Sequence, residues 1–194
     1  NTGFVGSNLC AFFSKKNTAE IIKLNLRKAL PLKLPAANAL IHLAGKAHDL
    51  KSKSNVDDYF KINTNLTKDL FDLFLDSDVA DFIYFSSVKA VADTVEGSLV
   101  EEIDPNPVTP YGVSKLKAEE YILSKTLPQG KRVLIFRPCM IYGPGNTGNL
   151  NLLYKVVRNR IPYPLGAYKN RRSFLGIDNL IFVIEAIIND LSVP

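Results

Sequence analysis

Short apolar runs alternate along this chain with segments whose apolar residues recur every three or four positions. The runs predict strands at residues 21–26, 39–43, 81–85 and 132–136. The periodic segments predict helices at residues 59–75, 111–125, 150–158 and 179–188, the last with Asp178 as its N-cap. Buried strands alternating with amphipathic helices are typical of an α/β protein with a doubly wound parallel sheet.

The chain opens with a glycine turn, Gly3-Phe4-Val5-Gly6, that leads into a helix ending near Lys16. Bare backbone amides at a helix N-terminus bind the diphosphate of a dinucleotide, and glycine leaves room for its close approach. A buried strand should precede such a turn. We therefore expect the first strand of the sheet to be missing from this sequence.

Composition excludes several classes of function. The 194 residues are 46% hydrophobic and 22% charged, which suits one globular domain, or one domain with part of a second. The net charge of +5 is scattered, so no nucleic-acid partner is expected. No apolar run reaches the ~20 residues of a membrane span, and Cys10 and Cys139 lack metal-site spacing. We expect a cytoplasmic protein with no membrane or metal partner.

The strongest chemical signal is Tyr111-Gly-Val-Ser-Lys115, which follows Thr109-Pro110. Residues four apart lie on one face of a helix, so phenol and ammonium can reach one site. A nearby lysine cation lowers the pKa of a tyrosine, which lets the phenol exchange a proton with a sugar hydroxyl or carbonyl. The pattern predicts a general acid/base pair, although in isolation it also fits a solvated helix face.

Residues near the ends of the first two predicted strands are candidates for cofactor contact. In dinucleotide sites of this architecture, an acidic residue after the second strand of the sheet holds the adenosine ribose. With the first strand missing, that position falls at the end of the strand predicted at residues 21–26, where this chain has Asn25 and Arg27. Arg27 can meet a 2′-phosphate, which favours NADP, or can be an exposed loop residue. The small Ala44 and Gly45 follow Leu43 and allow backbone to lie against a flat cofactor.

Polar residues after the later strands complete the predicted site. Ser87 follows the third strand, where its hydroxyl can hydrogen-bond the acceptor of the tyrosine proton. Arg137-Pro138 ends the fourth strand, and Gly148-Asn149-Leu150 opens the next helix, where Asn149 can donate to a substrate phosphate. Arg172 can grip a diphosphate through two hydrogen bonds. Surface solvation is the alternative for Asn149 and Arg172.

In their order, these motifs resemble the extended short-chain dehydrogenases of the NAD-dependent epimerase/dehydratase family, which act on nucleotide sugars. The resemblance implies a Rossmann-type NAD(P)-binding domain at residues 1–145. It implies the start of a small C-terminal substrate lobe, with a return helix, at residues 146–194. Because that lobe appears short, the chain as given is expected to lack part of the substrate site.

The resemblance also assigns roles. It implies that Ser87, Tyr111 and Lys115 are catalytic, with Lys115 holding the nicotinamide ribose. The implied cofactor-binding set is Gly3, Phe4, Val5, Gly6, Asn25, Arg27, Leu43, Ala44, Gly45, Asn63, Lys115, Arg137 and Pro138. The implied substrate-binding set is Ser87, Asn149, Leu150 and Arg172. The expected cofactor is NAD, with NADP as the alternative, and the expected substrate is a nucleotide sugar, UDP-linked.

Two departures from the family pattern restrict the reaction. The family often carries Val-Tyr-Gly where this chain has Ala90-Val91-Ala92, which removes an aromatic from near the sugar. Members that eliminate water carry Asp-Glu where this chain has Val88-Lys89, which argues against dehydration. The family's third strand and the acid after it are compressed or lost here.

Three functions remain open at this point. The first choice is a 4-epimerase that transiently oxidises the sugar at C4, and the second is an NADPH-dependent 4-keto-sugar reductase. The third is a non-catalytic NADP-binding module, which the intact serine, tyrosine and lysine disfavour. A homodimer paired through the helices at residues 59–75 and 111–125 is expected by resemblance, and internal packing of those helices is the alternative.

Overall fold

The computed structural model describes residues 3–27, 29–46, 55–146, 149–162 and 171–190. They form two compact units, which we call the terminal unit (residues 1–21 and 139–190) and the central unit (residues 22–138). The elements in chain order are α1 (Phe4–Lys16), β1 (Ala39–His42), α2 (Val56–Tyr59), a π-helical segment (Phe60–Asn65), α3 (Leu66–Leu75), β2 (Asp81–Phe85), a 3₁₀ turn (Val88–Ala90), α4 (Pro110–Leu123), β3 (Arg132–Phe136), β4 (Met140–Tyr142), α5 (Asn149–Arg158), β5 (Phe174–Gly176) and α6 (Ile177–Asn189).

The central unit is built on a parallel sheet with strand order β1-β2-β3. Ile83 at the middle of β2 pairs with Ile41 on one side and Leu134 on the other. Every residue of β2 is buried, as expected for a strand with neighbours on both edges. Parallel strands joined through helices confirm the predicted α/β class.

The helices of the central unit bury their apolar faces against this sheet. Phe71 and Phe74 of α3 are fully buried and pack on Phe82 of β2, with ring centroids 5.0 and 5.2 Å from it. Ala118 and Ile122 of α4 belong to the same core cluster. The helices predicted at residues 59–75 and 111–125 are thereby confirmed, although the first begins earlier and contains an unpredicted π-helical segment.

The strand predicted at residues 21–26 is wrong. Residues 20–25 carry no regular structure, and the backbone N–H of Arg27 donates to Asn25 Oδ1 at 3.2 Å, which closes a turn. Among the described residues no strand pairs with this segment, and a strand persists only within a hydrogen-bonded ladder. The apolar alternation instead reflects Leu26, which packs against the core of the central unit together with Leu30 and Leu34.

The terminal unit contains α1, α5, α6 and a small parallel pair, β4 with β5, in which Ile141 faces Leu175. No strand was predicted where β4 lies. The predicted N-cap at Asp178 is also wrong, because Gly176 occupies that position and Ile177 begins α6. Asp178 lies in the first turn, where its negative charge favours the helix N-terminus.

Two further predictions concern the whole chain. None of the helices within the described ranges is long and apolar enough to span a membrane. The predicted domain boundary at residue 145 separates cofactor binding from substrate binding. The division into two compact units does not test it, so it stays a prediction. The predicted absence of the first strand of the sheet stays a prediction.

Candidate active site

The first two turns of α4 carry Tyr111 and then Lys115, one helical turn apart. Thr109 is the N-cap, with its hydroxyl accepting from the backbone N–H of Gly112 at 3.2 Å, and Pro110 occupies the first turn. Proline suits this position because a first-turn N–H has no partner within the helix. Gly112 is required here because a Cβ would strike the carbonyl oxygen of Lys89. The helix start therefore packs directly against the 3₁₀ turn that follows Ser87.

Lys115 is a buried cation at the carboxyl end of β2. Its side chain is 5% exposed, and its ammonium donates to the carbonyl of Phe85 at 2.7 Å and lies 4.9 Å from the centre of the Tyr84 ring. Burial lowers the pKa of Lys115 to about 8, against an upward pull from Glu119. At neutral pH the side chain is therefore still mostly an ammonium, but one that a modest rise in pH discharges.

Tyr111 lies one turn before Lys115 and is partly exposed. A side-chain hydrogen bond joins it to Ser87, and its ring meets the ring of Tyr59 edge-on with centroids 6.2 Å apart. Burial raises the pKa of Tyr111 above its ordinary value, and the Ser87 hydrogen bond lowers it in part. The net shift is upward, opposite in direction to the lowering by Lys115 that the sequence predicted.

Ser86 and Ser87 end β2 at the edge of the sheet where ligands gather in this architecture. Ser87 is the N-cap of the 3₁₀ turn, with its Oγ accepting from the Lys89 N–H at 3.2 Å. The next residue, Val88, donates its N–H to the carbonyl of Pro138 at 3.2 Å, which ties this turn to the end of β3. Ser86 Oγ is buried and has no hydrogen-bond partner among the described residues, so it can accept or donate to a ligand.

Asn63 holds the segment after β1 in place. Its Oδ1 accepts from the N–H of Lys46 at 2.7 Å, and its Nδ2 donates to the Lys46 carbonyl at 3.1 Å and to Ser114 Oγ at 3.0 Å. It lies in the π-helical segment, a distortion common at functional sites. Because both amide donors are occupied within the protein, the structure gives Asn63 a positioning role. A direct cofactor contact by Asn63 stays a prediction.

Gly45, in the predicted cofactor-lining segment Leu43 to Gly45, lies close to Lys115. A Cβ at this position would lie 3.2 Å from both Asn63 Oδ1 and Lys115 Nζ, closer than nearly all real Cβ contacts. A larger residue would therefore disturb the lysine. The glycine keeps the space beside the ammonium open, which fits a flat group lying there.

Asp93 fastens the loop before α4 and was not predicted from the sequence. One carboxylate oxygen accepts from the N–H groups of Val108 and Thr109 at 3.0 Å, and the other from the Thr109 hydroxyl at 3.0 Å. Lys89 Nζ donates to the Asp93 carboxylate at 3.2 Å and to the Asp93 carbonyl at 2.9 Å. We call this set the Asp93 clamp. It joins the turn that carries Ser87 to the helix start that carries Tyr111.

Arg137, a predicted cofactor residue, is paired within the central unit. Its Nη2 lies 2.6 Å from a carboxylate oxygen of Glu119, and its Nε lies 3.1 and 3.2 Å from the two oxygens. The hydrogen bonds that Arg137 donates to the Glu119 carboxylate raise the pKa of Arg137, so the charge is permanent. The guanidinium thus anchors the end of β3 to α4. A cofactor contact by Arg137 or by the adjacent Pro138 stays a prediction.

His42 is a structural histidine. Its Nε2 is 2.9 Å from the hydroxyl of Thr67, and its ring stacks on Tyr84 with centroids 5.7 Å apart. Burial lowers the pKa of His42 to about 3, with the Lys115 charge contributing, so the ring is neutral at working pH. No group of three or more His, Cys, Asp and Glu residues within the described ranges could hold a metal ion.

In the terminal unit, the glycine turn begins α1 as predicted. Gly3 is the N-cap without a side-chain cap, the first turn has no acidic residue, and a Cβ at Gly3 would meet nothing within 4 Å. A cavity of about 300 Å³ lies here, lined by Gly3, Phe4, Ser7, Asn8, Pro144 and Gly145. Asn8 Nδ2 donates to the Pro144 carbonyl at 3.1 Å, which fixes one wall. A helix N-terminus open to this cavity fits an anionic group such as a diphosphate.

The other predicted residues lie on exposed segments or outside the described side chains. Asn25 and Arg27 are exposed in the turn described above. Arg172 is exposed just before β5, and Leu150 is half-buried in α5. Asn149 begins α5, but its side chain lies outside the described residues. Whether any of these residues contacts a ligand stays a prediction.

Comparison with known proteins agrees with this arrangement. A sequence profile of the NAD dependent epimerase/dehydratase family matches residues 1–193, and the chain belongs to that family. It is 32% identical over 216 residues to UDP-glucose 4-epimerase from Vibrio cholerae, covering 97% of this chain and 65% of the relative. It is 31% identical over 157 residues to GDP-6-deoxy-D-mannose reductase from Pseudomonas aeruginosa, covering 74% and 51%. The predicted family membership is thereby confirmed.

Solved structures share the fold. MoeE5 in complex with UDP-glucose and NAD superposes with a TM-score of 0.74 at 20% identity, covering 97% of this chain and 69% of that one. RMD from Pseudomonas aeruginosa complexed with NADPH superposes with a TM-score of 0.69 at 24% identity, covering 97% and 71%. The predicted Rossmann-type fold is confirmed. The chain spans 65% and 51% of the two curated relatives.

Proposed function

We propose that this chain carries the NAD-binding and catalytic part of a nucleotide-sugar 4-epimerase that acts on a UDP-linked sugar. The observation that carries the proposal is the joint placement of Tyr111, hydrogen-bonded to Ser87, and the buried ammonium of Lys115 one helical turn away. This is the arrangement that moving a proton at a sugar C4 hydroxyl requires. The similarity to a UDP-glucose 4-epimerase over 97% of the chain supports the substrate class.

The residues of the site divide the chemistry among them. The dinucleotide, when bound, supplies the hydride acceptor and donor. Tyr111 exchanges a proton with the sugar hydroxyl. Ser87 holds the oxygen of that sugar hydroxyl by a hydrogen bond, at the distance that general acid/base catalysis needs. Lys115 contributes a positive charge one helical turn from the phenol, which favours the phenolate form and opposes the burial that raises the Tyr111 pKa.

The residues present fit a dinucleotide at several points. The N-terminus of α1 opens onto a cavity without a competing carboxylate. Gly45 leaves space beside Lys115, and Ser86 Oγ offers a buried hydroxyl that lacks a protein partner in the described part of the chain. We assign Gly3 to Gly6 to the diphosphate, and Ala44, Gly45 and Lys115 to the nicotinamide side. Asn149 and Arg172 remain our candidates for the diphosphate of the sugar nucleotide.

An NADPH-dependent 4-keto-sugar reductase is the second candidate. A specific observation favours it: burial raises the pKa of Tyr111, which keeps the phenol protonated and ready to donate to a carbonyl. The similarity to a GDP-6-deoxy-D-mannose reductase, and the exposed Arg27 in place of an acid, support the same alternative. A non-catalytic module has no need of the Ser87, Tyr111 and Lys115 arrangement and is the weakest candidate. A homodimer stays a proposal.

The bound nucleotide separates these candidates. We would purify the full protein rapidly, denature it and identify the released nucleotide by mass spectrometry. Near-stoichiometric NAD is the expected result, because an epimerase must keep its cofactor through a redox cycle that closes on itself. An empty site that then binds NADPH would support the reductase instead. No affinity for either dinucleotide would overturn both enzymatic proposals.

A further inference from the structure

Glu119 is a buried carboxylate for which the proposed reaction has no direct use. It lies one helical turn after Lys115 on the inward face of α4, and it is 1% exposed. An ionised carboxylate is rarely buried without a compensating charge. Here the compensation comes from Arg137, whose guanidinium makes the bidentate contact described above. A buried pair of this kind is weak evidence for a role in stability, so another role is worth seeking.

The surroundings of Lys115 show what Glu119 can do. The titratable and charged side chains that contact or influence the ammonium are Tyr84 on β2, Glu119 on α4 and neutral His42 on β1, with Arg137 just after β3 behind Glu119. Of these, Glu119 is the carboxylate whose charge favours the ammonium. The hydrogen bond to the Phe85 carbonyl orients Lys115 but brings no charge.

We propose that Glu119 is a positioning residue that acts through Lys115, its carboxylate being the buried counter-charge that keeps Lys115 an ammonium beside Tyr111. Arg137 holds that carboxylate in place and moderates its charge. This inference rests on the proposed function for its catalytic meaning, but its physical content concerns only the charge state of Lys115. The Glu119–Arg137 pair thus serves the catalytic lysine as well as the packing of β3 against α4.

The pair has an internal symmetry that separates an electrostatic role from a structural one. Removing the carboxylate takes away the charge that favours the ammonium, so the pKa of Lys115 should fall. Removing the guanidinium leaves the carboxylate uncompensated, so the pKa of Lys115 should rise. A purely structural pair would instead give the same effect when either partner is removed, because both changes break the same contact.

The test is an NMR titration of the full protein labelled with ¹³C-lysine, without cofactor or substrate. The Lys115 resonance is assigned by its loss in Lys115→Met. Glu119→Gln keeps the shape of the side chain, and its amide oxygen can still accept a hydrogen bond from Arg137. We expect this variant to lower the pKa of Lys115, which is about 8 in the wild type, by roughly one pH unit. Arg137→Gln should raise the same pKa. Glu120→Gln, at an exposed position on the same helix, is the matched control and should leave it unchanged.

The outcomes are distinct. Opposite shifts in the two variants support the proposal, whereas an unchanged Lys115 pKa in folded Glu119→Gln, or a fall in both variants, overturns it. If Glu119→Gln does not fold, Glu119→Met, which fills similar space without the charge, replaces it, with a fall of the Lys115 pKa in support and no fall against. Because the titration needs no turnover, it can succeed even if the enzymatic proposal fails. An active Glu119→Gln enzyme should also lose activity at lower pH on the alkaline side than wild type.

Discussion

Tyr111 and Lys115 lie at the two ends of one helical turn of α4, but their surroundings differ. The Lys115 end is dry and crowded, with the ammonium held by the Phe85 carbonyl, the Tyr84 ring and the field of Glu119. The Tyr111 end is partly open, with the phenol held by Ser87 and the edge of Tyr59. One end holds a buried charge, and the other leaves the phenol accessible to a ligand.

The supports of the two ends also differ in kind. The lysine ammonium is held by the Phe85 carbonyl and lies over the Tyr84 ring, both on β2 in the core of the central unit. The tyrosine is aligned by the Asp93 clamp, which ties a loop to the 3₁₀ turn. A fixed charge needs a rigid, water-free setting, whereas an acid/base group has to meet a ligand that comes and goes.

The largest effect is expected at the open end. Tyr111→Phe removes the hydroxyl that exchanges the proton, and we expect turnover of a nucleotide sugar to fall by about 10²-fold or more while cofactor binding is kept. Steady-state kinetics and dinucleotide titration would measure both. Tyr121→Phe on the same helix is the control, since its hydroxyl contacts Asp72 at 2.8 Å and not the site. An unchanged rate in Tyr111→Phe would remove this phenol from the mechanism.

At the buried end, we expect loss of function together with a gain in stability. The pKa of Lys115 is lowered to about 8 from 10.5, so the unfolded chain binds the proton more tightly. Charging this residue therefore costs the fold on the order of 3 kcal/mol below pH 8, and the cost fades as pH rises toward 10.5. Lys115→Met should remove that cost while abolishing turnover.

Denaturant unfolding of Lys115→Met at pH 7 and pH 10 measures this effect. The variant should be more stable than wild type at pH 7, with a smaller advantage at pH 10. Lys117→Met, at an exposed position on the same helix, should change stability by less than about 0.5 kcal/mol. A destabilised Lys115→Met at pH 7 would show that the contacts of the ammonium outweigh its desolvation.

A smaller effect is expected at the Asp93 clamp. Burial raises the pKa of Asp93, but the hydrogen bonds from Val108, Thr109 and Lys89 outweigh it, so the net pKa is lowered. Its stabilisation is therefore present above the ordinary Asp pKa and is lost as pH falls through the folded value. Asp93→Asn should cost about 1–2 kcal/mol at pH 7 and reduce turnover severalfold, because Tyr111 loses its alignment with Ser87.

Melting temperatures from pH 3 to pH 7 would check this prediction. The difference between wild type and Asp93→Asn should shrink toward the acid end of that range. Glu96→Gln, at an exposed position of the same loop, is the control and should leave both turnover and the pH dependence of melting unchanged. A constant difference across the range would mean that the carboxylate charge is not what the clamp uses.

Local spacing explains why much of the site could be predicted. Tyr111 and Lys115 are one helical turn apart, so their common face follows from helix geometry alone. The glycine turn at α1 and the serine pair after β2 are likewise local patterns. The predicted strand at residues 21–26 failed for the complementary reason, because apolar alternation does not reveal whether a neighbouring strand is present to pair with it.

Family resemblance added the roles of these residues, but not their partners. Asn63 was expected at the cofactor. In the structure its side-chain amide joins Lys46 to Ser114, and Ser114 is 51 residues from Asn63 along the chain. Arg137 was also expected at the cofactor, and it pairs with Glu119, which is 18 residues away. Only helical spacing from Lys115 could have drawn attention to Glu119, and nothing local marked Asp93.

The fold class, the family and the predicted acid/base pair follow from the amino-acid sequence alone, because periodicity and short motifs are properties of neighbouring positions. Tertiary structure alone decided the charge environment of that pair. The pKa of Lys115 depends on how deeply the packed elements bury it. It also depends on the carboxylate of Glu119, whose own partner is Arg137, the residue after β3. Desolvation and long-range charge arise only when distant segments pack together.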